Sequence, residues 1–196
     1  MSTLSDDLRT NLIEVARLSI LSAVHATLAA EPRPDLYPSA LRERRATFVS
    51  LQSGDDLRGC CGSLEPHRAL VLDVWHSAHA AACADRRFNP VQPRELAELE
   101  LEISVLSPLT RMEVADEHQL LAQLRPGVDG LYLRHGSRRA TFLPKVWANL
   151  SDRKEFLRQL KHKAGLAERF WSSDIEWFRY GTESFGAAVA TETTCH

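Results

Sequence analysis

Two adjacent thiols, flanked by glycines and preceded by an arginine, form the segment of this chain best suited to chemistry: Leu57-Arg58-Gly59-Cys60-Cys61-Gly62. Glycine either permits a positive φ or lets another backbone or a ligand approach closely. Arg58 is a permanent cation beside Gly59. A helix is expected to begin near Pro66 or His67, and the free N–H groups of a helix start favour an anion. A thiol between a guanidinium and such a helix start ionises readily. That is what a nucleophilic Cys60 requires, with His67 or Glu65 as its base. The same residues have a structural reading, which residue statistics favour. Cys60 and Cys61 are then small buried hydrophobes on a strand, and Arg58 belongs to an ion pair.

Other constellations are weaker. His76, His79 and Cys83 recur at helical spacing and, with Cys60 or Cys61, would suit zinc. A polar stripe opposite an apolar one is also what any surface helix shows, and no metal is assigned. Asp129, in the turn Pro126–Gly130, is either a carboxylate at a site or the cap of its own turn, the commoner role of Asp in such turns. Arg138 and Arg139 would clamp an anion with Arg58 if their hairpins were neighbours. Arg42, Arg44, Arg45, Lys161 and Lys163 would suit nucleic acid, but Glu43 and Glu155 interrupt them. The formal net charge of −2 and pI of about 6.4 also disfavour that class. Trp147, Trp171 and Trp177 read as core anchors. The chain has no phosphate-binding Gly-Lys-Ser/Thr loop, no dinucleotide fingerprint and no Gly-x-Ser-x-Gly elbow. No cofactor is implied.

These residues must be held by a mixed helix and strand fold. The 196 residues are 44% hydrophobic and 26% charged, an ordinary globular balance. Apolar steps of three and four predict a helix from Ser5 to about Ala30, ended by Glu31-Pro32-Arg33-Pro34. Strands are expected at Ala46–Leu51 and Leu57–Cys61, then a helix at about His67–Ala84. Strict alternation makes Leu99–Leu106 the clearest strand. A short helix follows at Asp116–Leu124, and Leu131–His135 with Arg138–Phe142 forms a hairpin. A helix at Asp152–Ala164 and a strand at Ile175–Tyr180 complete the pattern. Residues after Gly181 read as a loose polar tail. Asp6, Asp7, Asn11, Glu14 and Arg17 argue against an export signal or a membrane span near the start, so a cytoplasmic protein with free thiols is expected. The order strand, glycine turn, Arg-bearing strand, helix, strand occurs twice. Leu51-x-x-Gly54-x-x-x-Arg58-Gly59-Cys60 matches Leu133-x-x-Gly136-x-x-Arg139-Ala140-Thr141 within one insertion. Chance recurrence of a common motif is the competing explanation.

The hexamer resembles the Leu-Arg-Gly-Cys-Ile-Gly signature of the AMMECR family, whose bacterial and archaeal members are called system protein A of the AmmeMemoRadiSam group. The likeness runs from the first helix to about Tyr180. It includes Phe48-Val49-Ser50-Leu51, Asp85-Arg86-Arg87-Phe88-Asn89-Pro90, Glu102–Pro108, Arg125–Leu131, Thr141–Trp147 and Lys161–Leu166. Cys61 replaces isoleucine, which marks position 61 as an apolar site, and Arg86 stands where proline is expected. The resemblance implies an α+β fold in which two β-rich, helix-flanked repeats, about 1–112 and 113–184, share a single barrel-like, mainly antiparallel sheet. Residues 185–196 form a polar tail after that single domain. It implies no assigned activity. Its gene neighbours suggest a Memo-like protein and a radical SAM enzyme as partners. The leading expectation is an enzyme or pathway component acting on a small molecule or protein group at Leu57–Gly62. Cys60 and Arg58 would be its catalytic candidates, and Gly59, Gly62, Arg87, Asp129 and Arg139 its binding candidates. A non-catalytic adaptor and a nucleic-acid-associated protein are the alternatives.

Overall fold

The computed structural model describes residues 3–190. Helix α1 (Asp6–Val24) starts with Asp6 and Asp7 in its first turn, where acids meet the exposed N–H groups. It ends earlier than its apolar pattern suggests. Ala26 takes a φ of 50°, and the Ser22 hydroxyl donates to the Thr27 carbonyl at 2.5 Å. Its buried stripe is Leu12, Val15, Ala16, Ser19 and Ile20. A single turn, α2 (Ser39–Arg42), leads to strand β1 (Thr47–Ser53) and strand β2 (Asp56–Gly62). Gly54, at φ +58°, makes the turn between them. Helix α3 (Leu70–Cys83) and strand β3 (Leu99–Leu106) follow. Then come β4 (Thr110–Met112), α4 (Glu117–Gln123), β5 (Gly130–His135), β6 (Arg138–Phe142), α5 (Arg153–Lys163), β7 (Glu176–Tyr180) and β8 (Thr182–Ala188). Asp116 and Asp152 cap α4 and α5, accepting from the N–H groups of Gln119 and Glu155 at 2.8 and 2.9 Å. Gly165 leaves α5 at φ +69°. Among the described residues no helix is long and apolar enough to cross a membrane.

The strands build two four-stranded antiparallel sheets and do not close into one shared barrel. The first has the order β2-β1-β3-β8 and the second β4-β7-β5-β6. Each sheet has two edge strands, so neither is continuous around a barrel. The chain divides into two compact units. One takes the residues up to Leu106 and those from Glu183 on; the other is Ser107–Thr182. In the first, α3 packs on β1 and β2 with α1 against α3, and Val49, Leu51, Leu101 and Ile103 share one core with Leu70, Val74 and Ala78. In the second, Leu131, Leu133 and Trp177 meet Phe156, Leu157 and Leu160 of α5. Trp147 stacks on Phe156 with ring centroids 3.8 Å apart, and its indole N–H donates to the Asp129 carbonyl at 2.7 Å.

Both sheets place a hairpin and the strand following its helix side by side. The single insertion between their sequences is a β-bulge. Leu51 faces Gly59 and Gln52 faces Leu57, leaving Arg58 as the extra residue, whereas Leu133 faces Ala140 without interruption.

Residues 182–188 are a strand, not the loose tail read from the sequence. The Val189 N–H donates to the Leu99 carbonyl at 2.7 Å, Ser184 meets Ser104 at 2.9 Å, and Val189 is buried. The segment is poor in β-branched and aromatic residues. Its pairing partner lies some eighty residues earlier, so local pattern carries little sign of it. Cys195 and the rest of 191–196 lie outside the described residues.

Candidate functional site

The hexamer occupies β2, an edge strand of the first sheet. Alternation along the strand splits its two thiols. Gly59 and Cys61 face α3, in register with the buried Leu51 and Val49. Cys61 packs against the core, and burial pushes its thiol up from the ordinary value. Position 61 therefore behaves as the small apolar site that its isoleucine counterpart implies. Cys60 faces the other side, opposite Ser50 on β1. The Ser50 hydroxyl donates to the Cys60 sulfur at 3.4 Å, and Cys60 remains half-buried.

Edge strands leave backbone groups unpaired, and here Asp85 takes one of them. Its carboxylate accepts from the Cys60 N–H at 2.9 Å and from the Arg87 guanidinium at 2.7 and 3.0 Å. These bonds, the Arg87 side-chain pair foremost, hold the Asp85 carboxyl well below the usual carboxylate range. The segment Asp85–Pro90 thus clamps the strand edge at Cys60. Phe88 lies beneath two guanidiniums, Arg87 at 5.3 Å and Arg58 at 6.0 Å from its ring centre.

Arg58 is held by Glu95, with Nε to Oε1 at 2.7 Å and Nη2 to Oε2 at 3.2 Å. Glu95 also accepts from the Gln92 N–H, closing the start of the short 3-10 helix Pro93–Glu98. The charge of Arg58 is therefore compensated within the fold. The two glycines serve close packing. A Cβ at Gly59 would stand 2.2 Å from the Ala81 carbonyl oxygen of α3, and one at Gly62 would stand 2.1 Å from the Thr47 carbonyl oxygen. The helix after the hexamer begins at Leu70, and its Leu70 N–H donates to Glu43. Glu65 and His67 pair with each other at 3.5 Å on the exposed connection.

Asp129 and Arg139 belong to the second unit. Asp129 is buried, and its carboxylate accepts from the Arg125 backbone N–H at 3.0 Å and from its guanidinium at 2.6 Å, locking the turn. Arg139 lies exposed on β6. His76 bonds to Glu31 at 2.9 Å, and the Cys83 thiol donates to the His79 carbonyl at 3.0 Å. Among the described residues no three His, Cys, Asp or Glu side chains are placed to hold a metal ion.

The structure thus gathers Arg87 and Arg58 around Phe88 and ties Arg87 through Asp85 to Cys60, with Ser50, Asp85 and Glu95 completing the set. None of these three was singled out from the sequence. Ser50 and Asp85 stand within the quoted family segments, and that position was their only signal. Glu95 had none.

Residues 13–185 match the AMMECR1 family, and the chain belongs to it. A protein of Methanothermobacter thermautotrophicus is 35% identical over 184 residues, covering 93% of this chain and 95% of its own. One from Thermococcus kodakarensis is 34% identical over 192 residues, covering 94% and 93%. The crystal structure of an uncharacterized protein from Pyrococcus horikoshii superposes with a TM-score of 0.81 at 30% identity, over 89% of each chain.

Proposed function

We propose that this AMMECR1-family protein acts on a small molecule or a protein group at Cys60, as an enzyme or as one component of a pathway. The observation that carries the proposal is the Ser50–Cys60 pair. A half-buried thiol is oriented by a hydroxyl across the strand pair while Asp85 fixes its backbone. A hydroxyl hydrogen-bonded to the sulfur holds it in place for attack on an electrophile. Arg87 stands at the rim, tied to Asp85 yet more than half exposed. Arg58, Gly59 and Gly62 support the site by shaping β2. The test is the alkylation rate of each cysteine in the folded protein, followed by mass spectrometry. Cys60 is expected to react faster than free cysteine at neutral pH, and faster than Cys61. A Cys60 protected until unfolding overturns the proposal.

One observation favours a second reading, a non-catalytic adaptor. Leu57, at the start of the hexamer, is exposed on an edge strand, and exposed apolar groups on strand edges suit partner docking. A Memo-like protein or a radical SAM enzyme is the partner that the family resemblance suggests. This reading predicts co-purification that survives Cys60→Ser and is lost on Leu57→Asp.

A further inference from the structure

Between the end of β2 and α3, bordered also by Cys60, lies a cleft of about 470 Å³. That volume is typical of small-ligand sites. Phe48, Cys61, Gly62 and Ala80 give it apolar walls, and Arg68, Asp73, His76 and Ser77 bring polar groups. Asp73 is 2% exposed. Its Oδ2 accepts from the Thr47 N–H at 2.9 Å and from the Thr47 hydroxyl at 2.6 Å, which fixes the carboxylate. Its Oδ1 forms an ion pair with Arg68 Nε at 3.6 Å, longer than a direct hydrogen bond. The Arg68 side chain is itself 41% exposed. A carboxylate fixed by Thr47 thus faces a partly exposed guanidinium at ion-pair distance.

We propose that this cleft binds a small organic cation, an alkylammonium or alkylguanidinium group, with the Asp73 carboxylate as counter-ion and Arg68 as the group displaced. A buried carboxylate is stabilised only when its charge is compensated at close range. Burial pushes the Asp73 carboxyl up, against the Thr47 bonds and the nearby charges of Arg68 and His67. A compact cation donating directly to Oδ1 compensates the carboxylate at closer range than Arg68 does, while the apolar walls take an alkyl stem. His76 is engaged by Glu31 through Nε2 at 2.9 Å, so Arg68 is the cation to be displaced from Oδ1. Cys60 borders the same cleft, but cation binding at Asp73 does not require its thiol to react.

The test uses the intact protein with n-butylammonium and n-butylguanidinium chloride, and sodium butyrate as the anionic control. Binding is followed by amide shifts in 15N-labelled protein. Saturable shifts at Gly62, Ser63 and Ser77 with either cation are expected. In Asp73→Asn the side-chain oxygen can still accept from Thr47, so the fold is kept, and cation binding weakens by about tenfold or more through loss of a charge-assisted hydrogen bond. Arg68→Gln, on the exposed rim, removes the competitor, and cation binding tightens several-fold. Butyrate binding that Arg68→Gln abolishes would overturn the proposal in favour of an anion site. Absence of saturable cation binding, or cation binding unchanged in both variants, would overturn it as well.

Discussion

Ser50 and Cys60 face each other across β1 and β2, and the serine hydroxyl donates to the cysteine sulfur at 3.4 Å. Ser50 is buried and sits on the face opposite Val49 and Leu51, so its hydroxyl is held by the sheet. Ser50→Ala keeps the strand and removes that donor. The expected result is a several-fold slower alkylation of Cys60 at neutral pH with little change in Cys61. Rates measured side by side by mass spectrometry check this. Equal slowing of both thiols would instead indicate a change in sheet dynamics.

Gly59 tests whether the hexamer's glycines serve packing. Gly59→Ala places a methyl against the Ala81 carbonyl oxygen, and both are backbone-borne, so neither can swing away. A loss of about 2–4 kcal/mol is expected in urea unfolding. Gly54→Ala meets no atom within 4 Å but sits at φ +58°. It should cost about 1 kcal/mol, from the backbone alone. A Gly59→Ala protein as stable as Gly54→Ala would refute the packing role.

Asp85 makes the edge clamp depend on pH. Its folded carboxyl is held below the ordinary value of 3.8 by Arg87 and the Cys60 N–H. Its contribution is therefore present above about pH 4 and is lost as pH falls below that value, because the unfolded chain binds the proton first. Asp85→Asn is expected to lose roughly 2 kcal/mol near neutrality. Its deficit relative to the parent protein should narrow steadily below pH 4. Thermal melts at a series of pH values measure this, and a deficit that stays constant into acid would contradict it.

In the second unit, Asp129→Ala leaves the Arg125 backbone N–H and guanidinium without their carboxylate and loosens the turn whose carbonyl receives the Trp147 indole N–H. A destabilisation of about 3 kcal/mol is expected. Trp147 sits among the buried residues of that unit, so tryptophan fluorescence during denaturation reports it. Arg139→Ala, at an exposed position, is expected to change stability by no more than about 0.5 kcal/mol.

Cys61→Ile restores the residue of the family signature at a position packed against the core. The expected change is within about 1 kcal/mol of the parent, because one partly buried apolar side chain replaces another. Alkylation of Cys60 should be unaffected. A large fall in Cys60 reactivity would mean that the two thiols work together.

The elements legible in the sequence are those specified by neighbours along the chain. The alternation of Leu99–Leu106 marks β3 without error, and the Gly54 and Gly136 turns place both hairpins within a residue or two. The stripe Leu12, Val15, Ala16 and Ile20 marks the buried face of α1, and Asp116 and Asp152 announce α4 and α5. The family was legible too, because its signature residues lie in short ordered runs. Tertiary structure alone decided how those runs meet. In the sequence Arg58 is either a cation for a ligand or half of an ion pair with an unnamed partner, and only the fold brings Glu95, 37 residues away, against it. Asp85 reaches Cys60 across 25 residues, and Asp73 reaches Thr47 across 26. Strand register puts Ser50 beside Cys60 while Cys61 turns to the core, and the same long-range pairing turns a polar tail into β8. Periodicity and capping act over one or two turns of chain, so they select elements. Which side chains converge depends on register and packing between elements far apart in the chain, which no local pattern encodes.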